Sequence, residues 1–297
     1  MKRWSKSNKL QIGLISAAAV LTAAALTFNS IGARTPVATA TWTVPDVTHA
    51  EITAAFTGAG PWTKAPNGTV RAGIVPHHGL VSPMIAGWFA SLQEEQSPAT
   101  VVIIGPDHEN RGAGYLTTAR VDWVTPEGLV RVHTELVDDL VETDHVVIDE
   151  GLLQSEHGVY TVLPYVRRAW PAARVVTIAV KGDARPDRIN RLAQVLVEKL
   201  DVHDIVLATV DFSHYTTAID ALAADQESLG VIERGDATAA FSIPVDSPPA
   251  ISLVLEYAKR RSLTYQQLFH TTSAQFVGQP DVQSVTSYLS AYFVSAN

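Results

Sequence analysis

From residue 70 onward the chain alternates short apolar runs with amphipathic stretches. Residues 70–75, 99–104, 174–180 and 204–210 are predominantly apolar and of strand length, the signature of strands covered on both faces. The stretches 84–92, 134–142, 158–170, 187–200, 218–234 and 249–261 read as helices. In the fourth of these, Ile189, Leu192, Val195, Leu196 and Leu200 recur close to helical spacing. Residues 115–133 alternate around Thr125-Pro126-Glu127-Gly128, which predicts a hairpin with its turn there. Residues 284–294 alternate weakly and predict a closing strand. Strands interleaved with helices predict an α/β fold: a single domain with a central mixed, mostly parallel sheet flanked by helices. The hairpin supplies the antiparallel part.

The N-terminal pattern is different. Lys2, Arg3, Lys6 and Lys9 precede an apolar run over 12–28, with no acid before it. A basic flank followed by an apolar run is the layout of a secretory signal. The run sits at the short limit for a membrane-spanning helix. Ala38-Thr39-Ala40 offers a small-residue cleavage site downstream. Residues 1–40 are therefore expected to be a signal peptide or an uncleaved N-terminal membrane anchor. Either way the rest of the chain is expected to be extracytoplasmic, secreted or held at the membrane by the N-terminal helix. Residues 41–65, rich in Thr, Ala, Pro and Gly, read as a linker leading into the domain at 66–297.

Composition narrows the chemistry. The 297 residues include 10 histidines and no cysteine, and the formal net charge is -8. Without cysteine there is no disulfide framework, no thiolate metal site and no cysteine nucleophile. The net acidity argues against a nucleic-acid partner. The chain also lacks a dinucleotide-binding glycine motif, a P-loop and a nucleophile elbow. What remains is histidine placed where strands end. The apolar runs lead into Pro76-His77-His78-Gly79, Gly105-Pro106-Asp107-His108 and Asp211-Phe212-Ser213-His214. Open α/β sheets bind ligands outside the carboxyl ends of their strands. Histidines gathered there can hold a metal such as iron, copper, zinc or nickel, or move protons. A single histidine is more often a surface or hydrogen-bonded core residue, and His49, His133, His145, His203 and His270 are read that way. Gly105-Pro106 reads either as a close approach to a ligand or as a plain turn, and Trp88 and Phe89 as core.

This string of motifs resembles the Memo family, also called AmmeMemoRadiSam system protein B. Pro76-His77-His78-Gly79 is similar to the family's Pro-His-x-Gly, and Gly105-Pro106-Asp107-His108 to its Gly-Pro-x-His. Ser155-Glu156-His157-Gly158 with Leu163-Pro164-Tyr165 resembles its Glu-His-Ser segment and Leu-Pro-Tyr. Val210-Asp211-Phe212-Ser213-His214-Tyr215 resembles its Ser-Asp-x-Ser-His-Tyr. The motifs fall in family order over roughly residues 70 to 294. The resemblance implies a fold like that of the class III extradiol dioxygenases, which use non-haem Fe(II). It places His77 and His108 at two metal-ligating positions and His214 at the acid/base position. Asp211 and His157 fall at pocket positions, also candidates for catalysis.

Two departures matter. Memo proteins often carry a third, cysteine ligand shortly before a proline and a helix. The matching stretch here is Ile243-Pro244-Val245-Asp246-Ser247-Pro248-Pro249. Two histidines and a carboxylate form the facial arrangement of non-haem Fe(II) oxygenases, so Asp246 is the candidate third ligand. The plain alternative is an aspartate capping the helix that starts near Pro248. Tyr160 and Val162 stand where relatives carry Glu and His, which implies a less polar pocket. Three functions stay open. The first is a dioxygenase-like redox enzyme with a divalent metal, Fe(II) before Cu or Zn. The second is a non-catalytic module holding a small molecule or peptide. The third is a metal-dependent hydrolase.

Overall fold

The apolar runs assemble into one mixed sheet in a computed structural model that describes residues 40–143, 146–279 and 283–296. The expected signal or anchor and His145 lie outside the described residues. Among the described residues no helix is long and apolar enough to cross a membrane. The strands are β1 (Ala40–Thr43), β2 (Thr69–Val75), β3 (Thr100–Asp107), β4 (Leu116–Thr118), β5 (Val121–Thr125), β6 (Gly128–Val132), β7 (Val147–Ile148), β8 (Arg174–Lys181), β9 (Ile205–Thr209), β10 (Thr264–Thr272) and β11 (Ser287–Ser295). Their order is β1-β5-β6-β8-β3-β9-β2-β11-β10, with β4 beside β8 and β7 beside β4. The centre, β8-β3-β9-β2, is parallel. The β5–β6 hairpin and the β2–β11–β10 edge are antiparallel.

Side-chain alternation along the central strands supplies two apolar faces. Val102, Ile104, Val176, Ile178, Val206 and Ala208 join one core, and Val101, Ile103, Val175, Ile205 and Leu207 the other. The second core is covered by α1 (His49–Thr57) and α2 (Ser82–Ala90), through Ile52, Ile85, Trp88 and Phe89. The first is covered by α3 (Thr134–Glu142), through Leu136, Val137 and Leu140. After α4 (Glu150–Ser155) and α5 (His157–Tyr160), α6 (Leu163–Ala169) returns to the second core, and α7 (Pro186–Lys199) to the first. Ile189, Leu192 and Leu196 of α7 are fully buried, each worth about 2 kcal/mol against exposure. After α8 (Ala218–Glu233), α9 (Pro248–Arg260) adds Ile251, Leu253 and Val254 to the first core, and α10 (Ser273–Val277) follows β10. The expected α/β class, with a mixed and mostly parallel sheet flanked by helices, is what forms.

Four local readings change. The helix expected over 158–170 is two, α5 and α6, because Pro164 fits only the first turn of a helix and so begins a new one. The stretch 41–65 is not a linker but part of the domain. β1 pairs with β5, and α1 is started by a capping box of Thr48 and Glu51. β10 escaped the pattern because its register slips between Gln267 and Phe269, which breaks the two-residue period. Gly105-Pro106 is strand, not turn: Gly105 pairs with Ala179 and Pro106 with Val180. The ladder to β9 ends at Ile104, so the proline's missing N–H leaves no gap on that side.

Candidate metal centre

Strands β3, β9 and β2 are adjacent and parallel, so their carboxyl ends meet at one edge. His77 follows β2, His108 follows β3 and Asp211 follows β9. Glu156 and His157 are brought over this edge by a backbone crossing that only glycine permits. A Cβ on Gly105 would run into the Gly158 carbonyl oxygen and the Thr209 hydroxyl. A Cβ on Gly158 would meet Pro106 Cγ at 2.7 Å and His108 Cε1 at 3.0 Å. The Thr209 hydroxyl donates to the Gly158 carbonyl and holds the crossing shut.

Asp246 arrives from the loop before α9. That helix takes Ser247 as its N-cap, without a side-chain hydrogen bond. Asp246 is thus not a helix cap. Its Oδ2 accepts from the Asp211 backbone N–H at 3.2 Å, while its own N–H donates to the Asp211 carbonyl at 3.0 Å. The same Oδ2 lies 3.2 Å from His77 Nε2 and 3.8 Å from His108 Nε2. Asp211 Oδ2 is 3.8 Å from His77 Nε2, and its Oδ1 accepts from the His77 backbone N–H. Two overlapping sets bring ligand-type atoms within 4.8 Å of one another: His77, His108 and His157; and His77, Asp211 and Asp246.

Glu156 orients His108. Its Oε1 lies 2.6 Å from His108 Nδ1, and its Oε2 accepts the His108 backbone N–H at 3.0 Å. A carboxylate on Nδ1 places the proton there and leaves Nε2 free to act as a ligand. The His108 and His157 rings stack at 4.2 Å. His77 meets both edge-on, at 5.3 and 5.4 Å.

The charges follow from these contacts. Burial opposes a proton on His77, but the Asp211 and Asp246 carboxylates outweigh it and raise His77 to about 9. Burial also opposes a proton on His108, yet its bonds to Asp246 and Glu156 raise it to about 10. For Asp246, burial favours the neutral acid, while the two imidazoles pull it down to about 2. His157 goes the other way. Burial, then the neighbouring His108 and His77, lower its pKa, so it stays neutral near pH 7.

The donor set suits a divalent metal. Asp246 Oδ1, the second oxygen of its carboxylate, is buried without a hydrogen-bond partner, as expected where an ion or water belongs. Ligand atoms about 2.1 Å from one ion stand about 3 Å apart, close to the His77–Asp246 separation. His77, His157 and Asp211 face a cleft of about 450 Å³. Its other walls include Tyr160 and Tyr165 and, from the segment read as linker, Val44, Asp46, Glu51 and Ile52.

Of the residues singled out from the sequence, His77, His108, His157, Asp211 and Asp246 come together here. His214 does not: it is half-buried on the loop after β9, its ring 5.7 Å from that of Tyr215, and it neither lines the cleft nor joins either ligand set. His78 is exposed and bonds the Tyr288 hydroxyl through Nδ1. His270 is half-buried and hydrogen-bonded, 2.7 Å from the buried Asp225, which also accepts from Ser213 Oγ at 2.8 Å. Val162 is core and Tyr160 lines the cleft. Glu156, quoted in a motif but given no role from the sequence, is the buried acid that orients His108. Its signal was present: an acid beside a histidine at a helix start.

A parallel-centred α/β sheet with a histidine–carboxylate cluster at its strand ends defines a candidate metal-binding α/β protein. Comparison with known proteins supplies the family. The model of the Memo-like protein family matches residues 45–292, and the chain belongs to that family. It is 29% identical over 248 residues to a MEMO1 family protein of Sulfolobus acidocaldarius, covering 78% of this chain and 86% of that one. It is 29% identical over 238 residues to one of Saccharolobus solfataricus, covering 75% and 82%. A crystal structure of an uncharacterized Escherichia coli K12 protein superposes with a TM-score of 0.48 at 12% identity, over 74% of this chain and 99% of that one.

Proposed function

We propose that this protein is a metal-dependent, dioxygenase-like redox protein. His77, His108 and Asp246 hold a divalent metal, most readily Fe(II), with Cu or Zn as alternatives. The observation that carries this reading is Asp246 Oδ2 set between the Nε2 atoms of two histidines beside a cleft. Fe(II) bound there would supply open positions for substrate and O₂. The protein's own groups prepare that chemistry. Glu156 fixes the His108 ring and its tautomer. Asp211 holds the His77 backbone and faces its imidazole. His157, neutral and half-exposed in the cleft, takes a proton from a substrate hydroxyl and returns it later. In this proposal the proton role assigned by resemblance to His214 passes to His157.

The test is metal content of anaerobically purified protein beside a His77→Ala/His108→Ala variant, followed by oxygen uptake with a catechol panel. About one iron per chain, lost in the variant, supports the reading. No metal in either, even after reconstitution, defeats it. A binding-only role has one observation in its favour, the position of His214 off the cleft. Ligand binding with metal bound and no turnover would establish it. Export is part of the proposal and rests on the basic-then-apolar layout before residue 40. Protease accessibility on intact cells tests it.

A further inference from the structure

We propose that the cleft selects organic cations, an aromatic or apolar body carrying an ammonium group, over anions of the same shape. This deepens the proposed function and rests on the cleft being the binding site. Its volume, about 450 Å³, suits a small molecule. Val44, Ile52, Tyr160 and Tyr165 provide apolar and aromatic walls. Carboxylates dominate the charges here, outnumbering the two imidazoles, His77 and His108, that carry protons when no metal is bound. Asp46 and Glu51 stand on the wall from the β1–α1 segment, and Asp211 on the strand-end side. Asp246 and Glu156 lie directly behind, against the histidines. No lysine or arginine is among the lining residues. Arg168, which packs on α1, is engaged elsewhere: it sits over the Phe56 ring and bonds Thr53 and Glu127. Even with a divalent ion bound, five carboxylates leave the cleft net negative. A cleft lined by one sign of charge concentrates the opposite sign. The Tyr160 ring on the cleft wall also favours a cation over an anion.

Asp46 and Glu51 can be neutralised without disturbing the fold. Asp46 has φ 56, a left-handed conformation that Asn also accepts. Glu51 closes the capping box on Thr48, where Gln serves equally. The experiment titrates the full chain anaerobically, metal-free and with Zn(II), by calorimetry. The probes are dopamine, 4-methylcatechol and 3,4-dihydroxyphenylacetate, which share one ring head and carry positive, zero and negative charge. Dopamine is expected to bind at least tenfold more tightly than 3,4-dihydroxyphenylacetate, with 4-methylcatechol between. A charge about 6 Å away in a water-like dielectric changes affinity about threefold. The Asp46→Asn/Glu51→Gln variant should therefore cut the cation-to-anion ratio at least threefold, and salt should do the same. Equal affinities, a reversed order, no binding of any probe, or a ratio untouched by the variant would each overturn the inference. Zn(II) stoichiometry in the same titration reports separately on the metal reading. Loss of Zn(II) binding with the charge order kept would sink the metal centre and leave the selectivity standing.

Discussion

Metal binding at this site should be steeply pH-dependent in a range where an ordinary histidine site is flat. In the metal-free protein His77 is raised to about 9 and His108 to about 10, so both are protonated at pH 8. A metal ligand must be neutral imidazole, so each ion bound displaces close to two protons. The sign follows: the metal-free form holds more protons, and apparent affinity rises with pH. The slope is close to two decades per pH unit up to about pH 8.5, then falls to zero above about 10. Two histidines at the ordinary value of about 6.5 would have lost those protons by pH 7.5 and would show almost no slope beyond it. Between pH 7.5 and 8.5 the expectation is therefore about a hundredfold gain against almost none. Zn(II) competition with a chromophoric chelator measures the slope. Calorimetry at pH 8 in buffers of different ionisation enthalpy counts the protons directly. Glu156→Gln removes one of the two carboxylates that raise His108, so its slope should fall below that of the wild-type protein. Its metal affinity should drop about tenfold to a hundredfold as the ring loses its anchor. A slope near zero across pH 7.5–8.5 in the wild-type protein would refute the reasoning, because the carboxylates would then not be charging these imidazoles.

Three further outcomes are expected. Asp246→Ala should fold, since no helix cap is lost, but bind metal at least a hundredfold more weakly; unchanged stoichiometry would remove Asp246 from the ligand set. Asp225→Ala should cost about 3 kcal/mol in urea unfolding, because Ser213 and His270 lose their buried partner; a loss below about 1 kcal/mol would show that water replaces the carboxylate. Gly105→Ala should destabilise by about 1–3 kcal/mol and weaken metal binding together, because the new Cβ pushes the Gly158 segment off β3; a fall in stability with metal affinity intact would separate the crossing from the site.

How much of this was legible in the chain depends on the distance over which each feature is specified. The central strands and most helices are written locally. Val101 to Ile104 need both faces covered, and Leu136, Val137 and Leu140 share one helical face, so period and burial agree. α1 was hidden because it buries only Ile52 and Ala55 and sits among Thr, Pro and Gly, although its Thr48–Glu51 capping box was readable. The histidines at strand ends were legible for the same local reason: each ends an apolar run. What no local pattern contains is the convergence of Glu156, His157 and Asp246 on them. Glu156 reaches His108 across 48 positions, and Asp246 reaches Asp211 across 35. That convergence needs Gly105 and Gly158 to let two backbones touch, and a glycine in a strand gives no sign of what it will approach. The resemblance to known motifs bridged part of the gap, because it carries long-range pairings that periodicity lacks. It did not carry the cleft wall at Val44–Ile52, where this chain's own acids sit. Residues that complete the candidate metal cluster and residues proposed to choose its ligand are thus encoded differently here. The first answer to a geometry of strand ends. The second lie on a segment whose composition alone reads as linker, and they are the positions where the charge of the cleft can change without touching the candidate metal ligands.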